Sequence, residues 1–286
     1  MPISDRDLDY LASLEAPSQA FGRALFRGEI RRMEALPGVE VPPEAILPMF
    51  SIGVSGRRRM ALARLNLDQS GQVPRGPFKG LKLAPDHRIG ELSVAKLLGV
   101  YEHELRAVVS ATDHWERVVN IGSAEGFYAV GFARRVPGRA VTAYDIDANA
   151  QTATTRTATL NGVEDRVTVL GECLPEALLA HADAGALFWI DIEGAEEALL
   201  LAAPPDRLAR SDLLVETHFP SGAFTGVAVA RHFQDTHDIT VVRQSEIQPE
   251  EVPEFRSLAP LDRHLIMLEH TTAAPWLWMR GRDTRT

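Results

Sequence analysis

From Trp115 onward, short apolar runs alternate with segments of helical spacing, and no other feature restricts the chain as strongly. The runs are Val118–Ile121, Ala140–Ile146, Val167–Leu170, Ala186–Ile192, Leu213–Thr217, Ile239–Val242 and His264–Glu269. Between them lie helix-like stretches over 126–136, 148–161, 174–182, 195–203 and 225–236. Apolar runs bounded by turns and separated by helices form βαβ units, whose parallel strands are buried on both faces. The expected class is α/β, a mostly parallel sheet with helices on both faces. Such sheets bind ligands at the carboxyl ends of their strands, so those ends hold the candidate functional residues.

A boundary near residue 113 separates this pattern from a mainly helical region, 1–112. Helical spacing runs through Leu8, Leu11, Leu14, Phe21, Leu25, Phe26 and Ile30. Pro37, Pro42, Pro43 and Pro48 punctuate a loop. Met60, Leu62, Leu65 and Leu67 suit a helix or an edge strand, and 71–85 reads as an extended loop rich in Gly, Pro and Lys. Over 91–111 a helix should bury Leu92, Ala95, Leu98, Leu105 and Val109. The triplet Arg57-Arg58-Arg59 reads as solvated surface rather than a polyanion contact.

A formal net charge of −9 argues against non-specific nucleic-acid binding, which depends on Lys and Arg at phosphates. The single cysteine, Cys173, allows no intrachain disulfide. No stretch approaches the roughly 18 apolar residues of a membrane span, and the start lacks a secretory pattern. A cytoplasmic protein is expected, acting on a small molecule and away from membranes.

The first strand runs into Gly122-x-x-x-Gly126 before a helix. Gly122 can turn the chain sharply, Gly126 admits a ligand to the helix start, and free N–H groups there favour anions. This is not the Gly-x-Gly-x-x-Gly of dinucleotide binders. Asp145 ends the second strand 23 residues after Gly122, close to the separation at which an acid reaches ribose hydroxyls. Asp147 reads as a helix N-cap. Cys173 reads as a packed wall, not a nucleophile. The fourth strand emerges at Asp191-Ile-Glu193-Gly194-Ala-Glu196 and the fifth at Glu216-Thr-His218, whose alternation places Glu216 and His218 on one side. Asp191, Glu216 and His218 could hold a divalent cation, or His218 could serve as a general base, or Asp191 and Glu193 could cap the next helix with His218 a satisfied loop residue. Glu196 and Glu197 read as solvated first-turn acids. Trp276-Leu-Trp278-Met279 reads as a seal on the sheet edge, with an acceptor-pocket wall as the alternative. The other histidines read as surface or packing residues.

Taken together, Asn120-Ile-Gly-Ser-Ala-Glu-Gly-Phe-Tyr128, Ala143-Tyr-Asp145, Asn161-Gly-Val-Glu-Asp-Arg-Val167 and Ile190-Asp-Ile-Glu-Gly-Ala-Glu196 resemble the class I, Rossmann-like methyltransferases, and within them the FkbM-like branch. The resemblance covers about 113–270, with Asp191 to Glu196 its most specific part. Lys96-Leu-Leu-Gly-Val-Tyr101-Glu102 resembles the lead-in segment that approaches the cofactor. It implies a seven-stranded sheet with the last strand antiparallel, and S-adenosylmethionine as cofactor. The implied cofactor residues are Tyr101, Asn120, Gly122, Ser123, Glu125, Gly126, Asp145, Ile146, Glu172, Cys173 and Asp191. Among them Gly122 and Gly126 would face the methionine part, Asp145 the ribose, and Glu172 and Cys173 the adenine. Asn120 departs from the family, which usually has an acid there; Glu125 is the residue that could compensate.

The function expected is methyl transfer to a hydroxyl of a small polar acceptor such as a sugar or natural product, with His218 and Asp191 catalytic. A cation such as Mg²⁺ at Asp191, Glu216 and His218 is the alternative source of acceptor activation. The 113–286 segment would be the methyltransferase domain, and 1–112 a cap serving acceptor selection or homo-oligomerisation. Two rival functions are a nicotinamide-dependent oxidoreductase and a non-catalytic binding protein that keeps the fold.

Overall fold

A computed structural model describes residues 3–14, 46–65, 71–84, 93–183, 185–220, 224–245, 247, 251–267 and 274–285. The N-terminal helices are α1 (Asp5–Ala12), α2 (Ile46–Leu65), α3 (Ser93–Leu98) and α4 (Arg106–Ala111). Strand and helix then alternate: β1 (Arg117–Ile121), α5 (Phe127–Arg135), β2 (Ala140–Tyr144), α6 (Ala148–Leu160), β3 (Val167–Leu170), α7 (Pro175–Asp183) and β4 (Leu187–Ile190). After these come α8 (Glu196–Leu201), α9 (Pro205–Leu208), β5 (Asp212–Glu216), α10 (Gly226–Phe233), β6 (His237–Val242), α11 (Pro260–Met267) and β7 (Trp276–Gly281).

The seven strands form one sheet in the order β3-β2-β1-β4-β5-β7-β6. The first five are parallel, and β7 lies antiparallel between β5 and β6. The fold is α/β and Rossmann-like, with apolar cores on both faces. On one face Val118, Val141, Trp189, Leu214 and Trp276 meet α5 and apolar side chains from residues 73–83 and 94–109; on the other Val119, Ile121, Phe188, Ile190 and Val215 meet Leu178, Leu200 and Phe233. Strand β4 is buried along its whole length, as a central parallel strand requires. Among the described residues, no helix is long and apolar enough to cross a membrane.

The sixth of the expected apolar runs begins two residues earlier than anticipated, and the seventh is not a strand. Residues His264 to Met267 belong to α11, which starts on Pro260 with Asp262 in its first turn, both favourable at a helix N-terminus. The seventh strand is the Trp276 to Met279 segment. It is not an edge seal, because it pairs on both sides and β6 forms the edge. The proline loop also ends earlier: Pro48 lies in the first turn of α2, where its missing N–H costs nothing. On that helix Arg57 reaches Asp262 at 2.8 Å and Arg58 is buried with its Nε on the Leu265 carbonyl at 2.8 Å. Both bonds join α2 to α11; Arg57 and Arg59 are exposed as expected, and Arg58 is the one that is not solvated.

Residues 71–84 form a compact plug rather than an extended loop. Gln72 and Lys82 pair across it, and Val73, Phe78, Leu81 and Leu83 are buried. Phe78 sits edge-on to Phe127, Tyr128 and Phe132 at 5.4–5.7 Å. The helix expected over 91–111 breaks into α3, a short 3₁₀ turn and α4, with Ala95, Leu98, Leu105 and Val109 buried as expected. Phe21, Leu25, Phe26, Ile30, Pro37, Pro42, Pro43, Leu67, His87, Leu92 and His270 lie outside the described residues. Truncating the Phe78 ring should leave a cavity among three aromatic neighbours. Phe78→Ala is expected to lower unfolding free energy by about 3–5 kcal/mol, read by denaturant melts; an unchanged midpoint would mean the plug does not contribute to the core.

Candidate active site

The carboxyl ends of β1 and β4 touch. Gly122 turns with φ +84°, and a Cβ built on it would lie 1.6 Å from the carbonyl oxygen of Asp191. Only glycine fits both the conformation and the contact. The turn is held by Gly122 N and Ser123 N donating to the Tyr144 carbonyl at 2.9 and 3.0 Å. Gly126 caps α5 with φ +85°, packed on Thr154.

A cavity of about 470 Å³ opens above these ends, a size ordinary for small-molecule sites. Gly122, Ala124, Asp145, Ile146, Glu172, Cys173, Asp191 and Glu193 line it. Asp145 is fixed by two backbone donors, Ala124 N to Oδ2 at 2.8 Å and Asp147 N to Oδ1 at 2.9 Å. Asp147 is the N-cap of α6, as its position suggested. Ile146 is 82% exposed and Leu174 52% exposed. Both line the cavity, so two large apolar side chains stand uncovered where a flat ring could lie. Burial pushes the Cys173 thiol up to about 12, which keeps it a protonated wall.

Other expected cofactor residues do not line this cavity. Asn120 is buried, its Nδ2 donating to the carbonyls of Gly122 and Trp189 at 3.3 and 3.4 Å. Ser123 turns its hydroxyl to Thr154 at 3.1 Å. Glu125 pairs with Lys96, whose ammonium lies 4.6 Å over the Tyr101 ring. Asn120 and Ser123 therefore brace the turn internally, while Glu125 and Tyr101 join the helical lead-in to it.

Asp191, Glu216 and His218 do converge. His218 Nε2 lies 3.7 Å from Asp191 Oδ1, 3.9 Å from Glu216 Oε2 and 3.6 Å from Glu193 Oε2. Asp191, Glu193 and His218 each offer a ligand atom within 4.8 Å of the others, so Glu193 rather than Glu216 completes the tightest metal-like trio. Glu196 is fully buried rather than solvated as its position suggested, and its Oε1 meets His218 Nδ1 at 2.8 Å. Tertiary contact with a residue 22 positions away makes that role invisible to local spacing.

The titration of the group follows from burial. It raises Glu216 well above its ordinary value, with the charge of Asp191 adding to the effect. It raises Asp191 to about 6, against the lowering effects of the Glu216 hydrogen bond and of His218. Glu216 is thus the protonated member of the pair. Burial works against charge on His218, but its hydrogen bond to Glu196 and the charges of Glu196, Asp191 and Glu193 outweigh it and raise its pKa. Glu102, the last residue of the lead-in segment and given no role by the sequence, is buried and bonded to Tyr128. Burial raises it to about 8, the charge of Asp191 adding and the Tyr128 and Tyr101 hydrogen bonds opposing.

No family model matches the chain, and no curated protein matches it. Solved structures share its path at low identity. An O-methyltransferase from Bacillus cereus, solved in complex with SAH, is 9% identical over 88% of this chain and 97% of that one, at a TM-score of 0.39. An O-methyltransferase of tomaymycin synthesis from Streptomyces achromogenes, solved with SAM, is 10% identical over 91% and 98%, at 0.39. A precorrin-8w decarboxylase from Methanobacterium thermoautotrophicum is 19% identical over 62% and 88%, at 0.40. At these identities and overlaps none of them decides the chemistry, which rests on the residues of the site.

A carboxyl raised on folding stabilises the fold below its unfolded pKa and loses that contribution as pH rises through its folded value. For Glu102 this window runs from 4.5 to about 8. Thermal stability should therefore fall across that range, and Glu102→Gln should flatten the slope; identical slopes for the two proteins would contradict the buried, protonated state of Glu102.

Proposed function

We propose that the chain is an S-adenosylmethionine-dependent methyltransferase that methylates a hydroxyl of a small polar acceptor, such as a sugar or natural product. The FkbM-like branch is the finer form of this reading. The observation that carries it is the cavity over the joined ends of β1 and β4, with Asp145 fixed at the end of β2 and His218 beside Asp191.

The residues present fit the cofactor. Gly122 leaves the cradle open, Asp145 offers carboxylate oxygens for a ribose diol, and Ile146, Leu174 and Cys173 offer apolar surface to an adenine. The cofactor supplies a methyl group activated by positive sulfur. The chain's part is alignment and proton handling, and alignment supplies much of the rate. His218 takes the acceptor proton at Nε2, on the side facing Asp191. Asp191 lies at both the cavity wall and this base, and links the two halves of the site. Tyr101 and Glu102, from the helical region, both feel the charge of Asp191, which favours acceptor selection as the role of residues 1–112.

Activation by a divalent cation is the second reading, carried by the Asp191, Glu193 and His218 trio. Turnover abolished by EDTA and restored by Mg²⁺ would favour it over the general base. Against an oxidoreductase stand the glycine spacing and the antiparallel β7, since dinucleotide-binding sheets run 3-2-1-4-5-6.

Asp145→Ala removes the ribose partner and should weaken SAH binding roughly 10- to 100-fold, measured by calorimetry. His218→Ala should leave SAH affinity within about threefold and slow transfer. The reverse pattern, or NADH binding more tightly than SAH, would overturn the assignment.

A further inference from the structure

Glu196 opens α8 with its side chain wholly out of solvent. A carboxylate in such a place is costly unless donors meet it. Three donors converge on one oxygen: Ile192 N at 3.1 Å, Gly194 N at 3.1 Å and His218 Nδ1 at 2.8 Å. The backbone supports this with two consecutive left-handed residues, Glu193 at φ +53° and Gly194 at φ +108°. Non-glycine residues rarely adopt that region without a surrounding structure that demands it. His218 is fixed from its other side as well, because its N–H donates to Thr225 Oγ1 at 3.1 Å and its carbonyl accepts from Thr225 N at 3.1 Å.

This arrangement determines which ring nitrogen carries the proton. A carboxylate oxygen already receiving two backbone N–H groups accepts from the imidazole, so Nδ1 is the protonated nitrogen and Nε2 keeps its lone pair when the ring is neutral. Nε2 is the nitrogen turned toward Asp191 and Glu193 at the cavity.

We propose that Glu196 is a positioning residue for His218: it fixes the Nδ1–H tautomer, aims Nε2 at the acceptor and holds the imidazolium that forms. The proposal rests on the reading of His218 as the acceptor's base. In the step, the acceptor O–H bond breaks, its electron pair stays on oxygen, and the proton bonds to Nε2. The positive ring then lies against the negative Glu196, and the proton later leaves to water. The charged or titratable groups facing the ring are Asp191 and Glu193 after β4, Glu196 on α8 and Glu216 at the end of β5. Glu196 makes the shortest contact and is the one wholly sealed from solvent screening.

A purely structural carboxylate would serve only the backbone donors of Ile192 and Gly194, and a glutamine oxygen would serve them equally. The test is ¹⁵N-histidine NMR of the full chain titrated with acid and base, in wild type, Glu196→Gln and Glu193→Gln, with His218→Asn to assign the signal. Wild-type His218 should show the Nδ1–H tautomer and a midpoint above the ordinary histidine value. Glu196→Gln should lower that midpoint by about 1 pH unit or more and mix the tautomers. Glu193→Gln, whose side chain is 89% exposed, should shift it less. An unmoved midpoint and tautomer in Glu196→Gln would overturn the proposal. So would an Nε2–H tautomer in the wild type, which decides the matter even if the variant fails to fold. SAH titration of the same wild-type sample separates the two claims: absent binding would sink the methyltransferase reading and leave the Glu196–His218 result standing.

Discussion

The close approach of Gly122 to the Asp191 carbonyl is the contact on which the site depends. Parallel β1 and β4 are neighbours at the centre of the sheet, and sequence leaves from them in opposite directions, β1 to β2 and β4 to β5. That reversal creates the crevice in which open α/β sheets bind ligands. The absence of a side chain at 122 lets the two strand ends meet, with Asp191 N donating to the Ile121 carbonyl at 2.9 Å. Asp191 therefore leaves β4 in a fixed direction, toward His218, and the turn after it delivers Glu193 and Glu196. A methyl at residue 122 would push apart both the cavity floor and the Asp191–His218 group.

A second constraint is electrostatic. Glu102, Asp191 and Glu216 crowd a poorly solvated region, and burial is the first cause of the raised pKa of each. Lys96 is committed to Glu125. The carboxyls accordingly stay partly protonated near neutrality, a costly state that a positive ligand beside Asp191 would relieve. Such a ligand would release protons on binding. Asn120 braces the turn as a neutral side chain, while the titrating carboxyls sit at the ends of β4 and β5 and in the helical lead-in.

Much of the sheet was legible because β strands buried on both faces leave continuous apolar runs, as in Leu187 to Ile190. The glycine turn, Asp145 and the meeting of Asp191 with His218 were legible because strand ends in this fold point one way. What local pattern could not supply was tertiary. The His264 run has strand-like composition but continues a helix that starts on Pro260 and packs as α11 against α2. Phe78 lies in a stretch that looks like linker and becomes a core plug through contact with α5. Glu196 looks like a solvated first-turn acid until β5 brings His218 over it, and the burial of Glu102 comes from Tyr128, 26 residues further on. In each case the deciding partner is far away in sequence.

A crystal structure of the chain grown with S-adenosylhomocysteine tests the central claim most directly. The adenine is expected against Ile146, Cys173 and Leu174, the ribose hydroxyls on Asp145, and the sulfur end toward Asp191. Density in that cavity with those contacts would establish the cofactor site. An empty cavity at saturating ligand, or the ligand bound elsewhere, would contradict the account and return the chain to the class of binding proteins that share this fold.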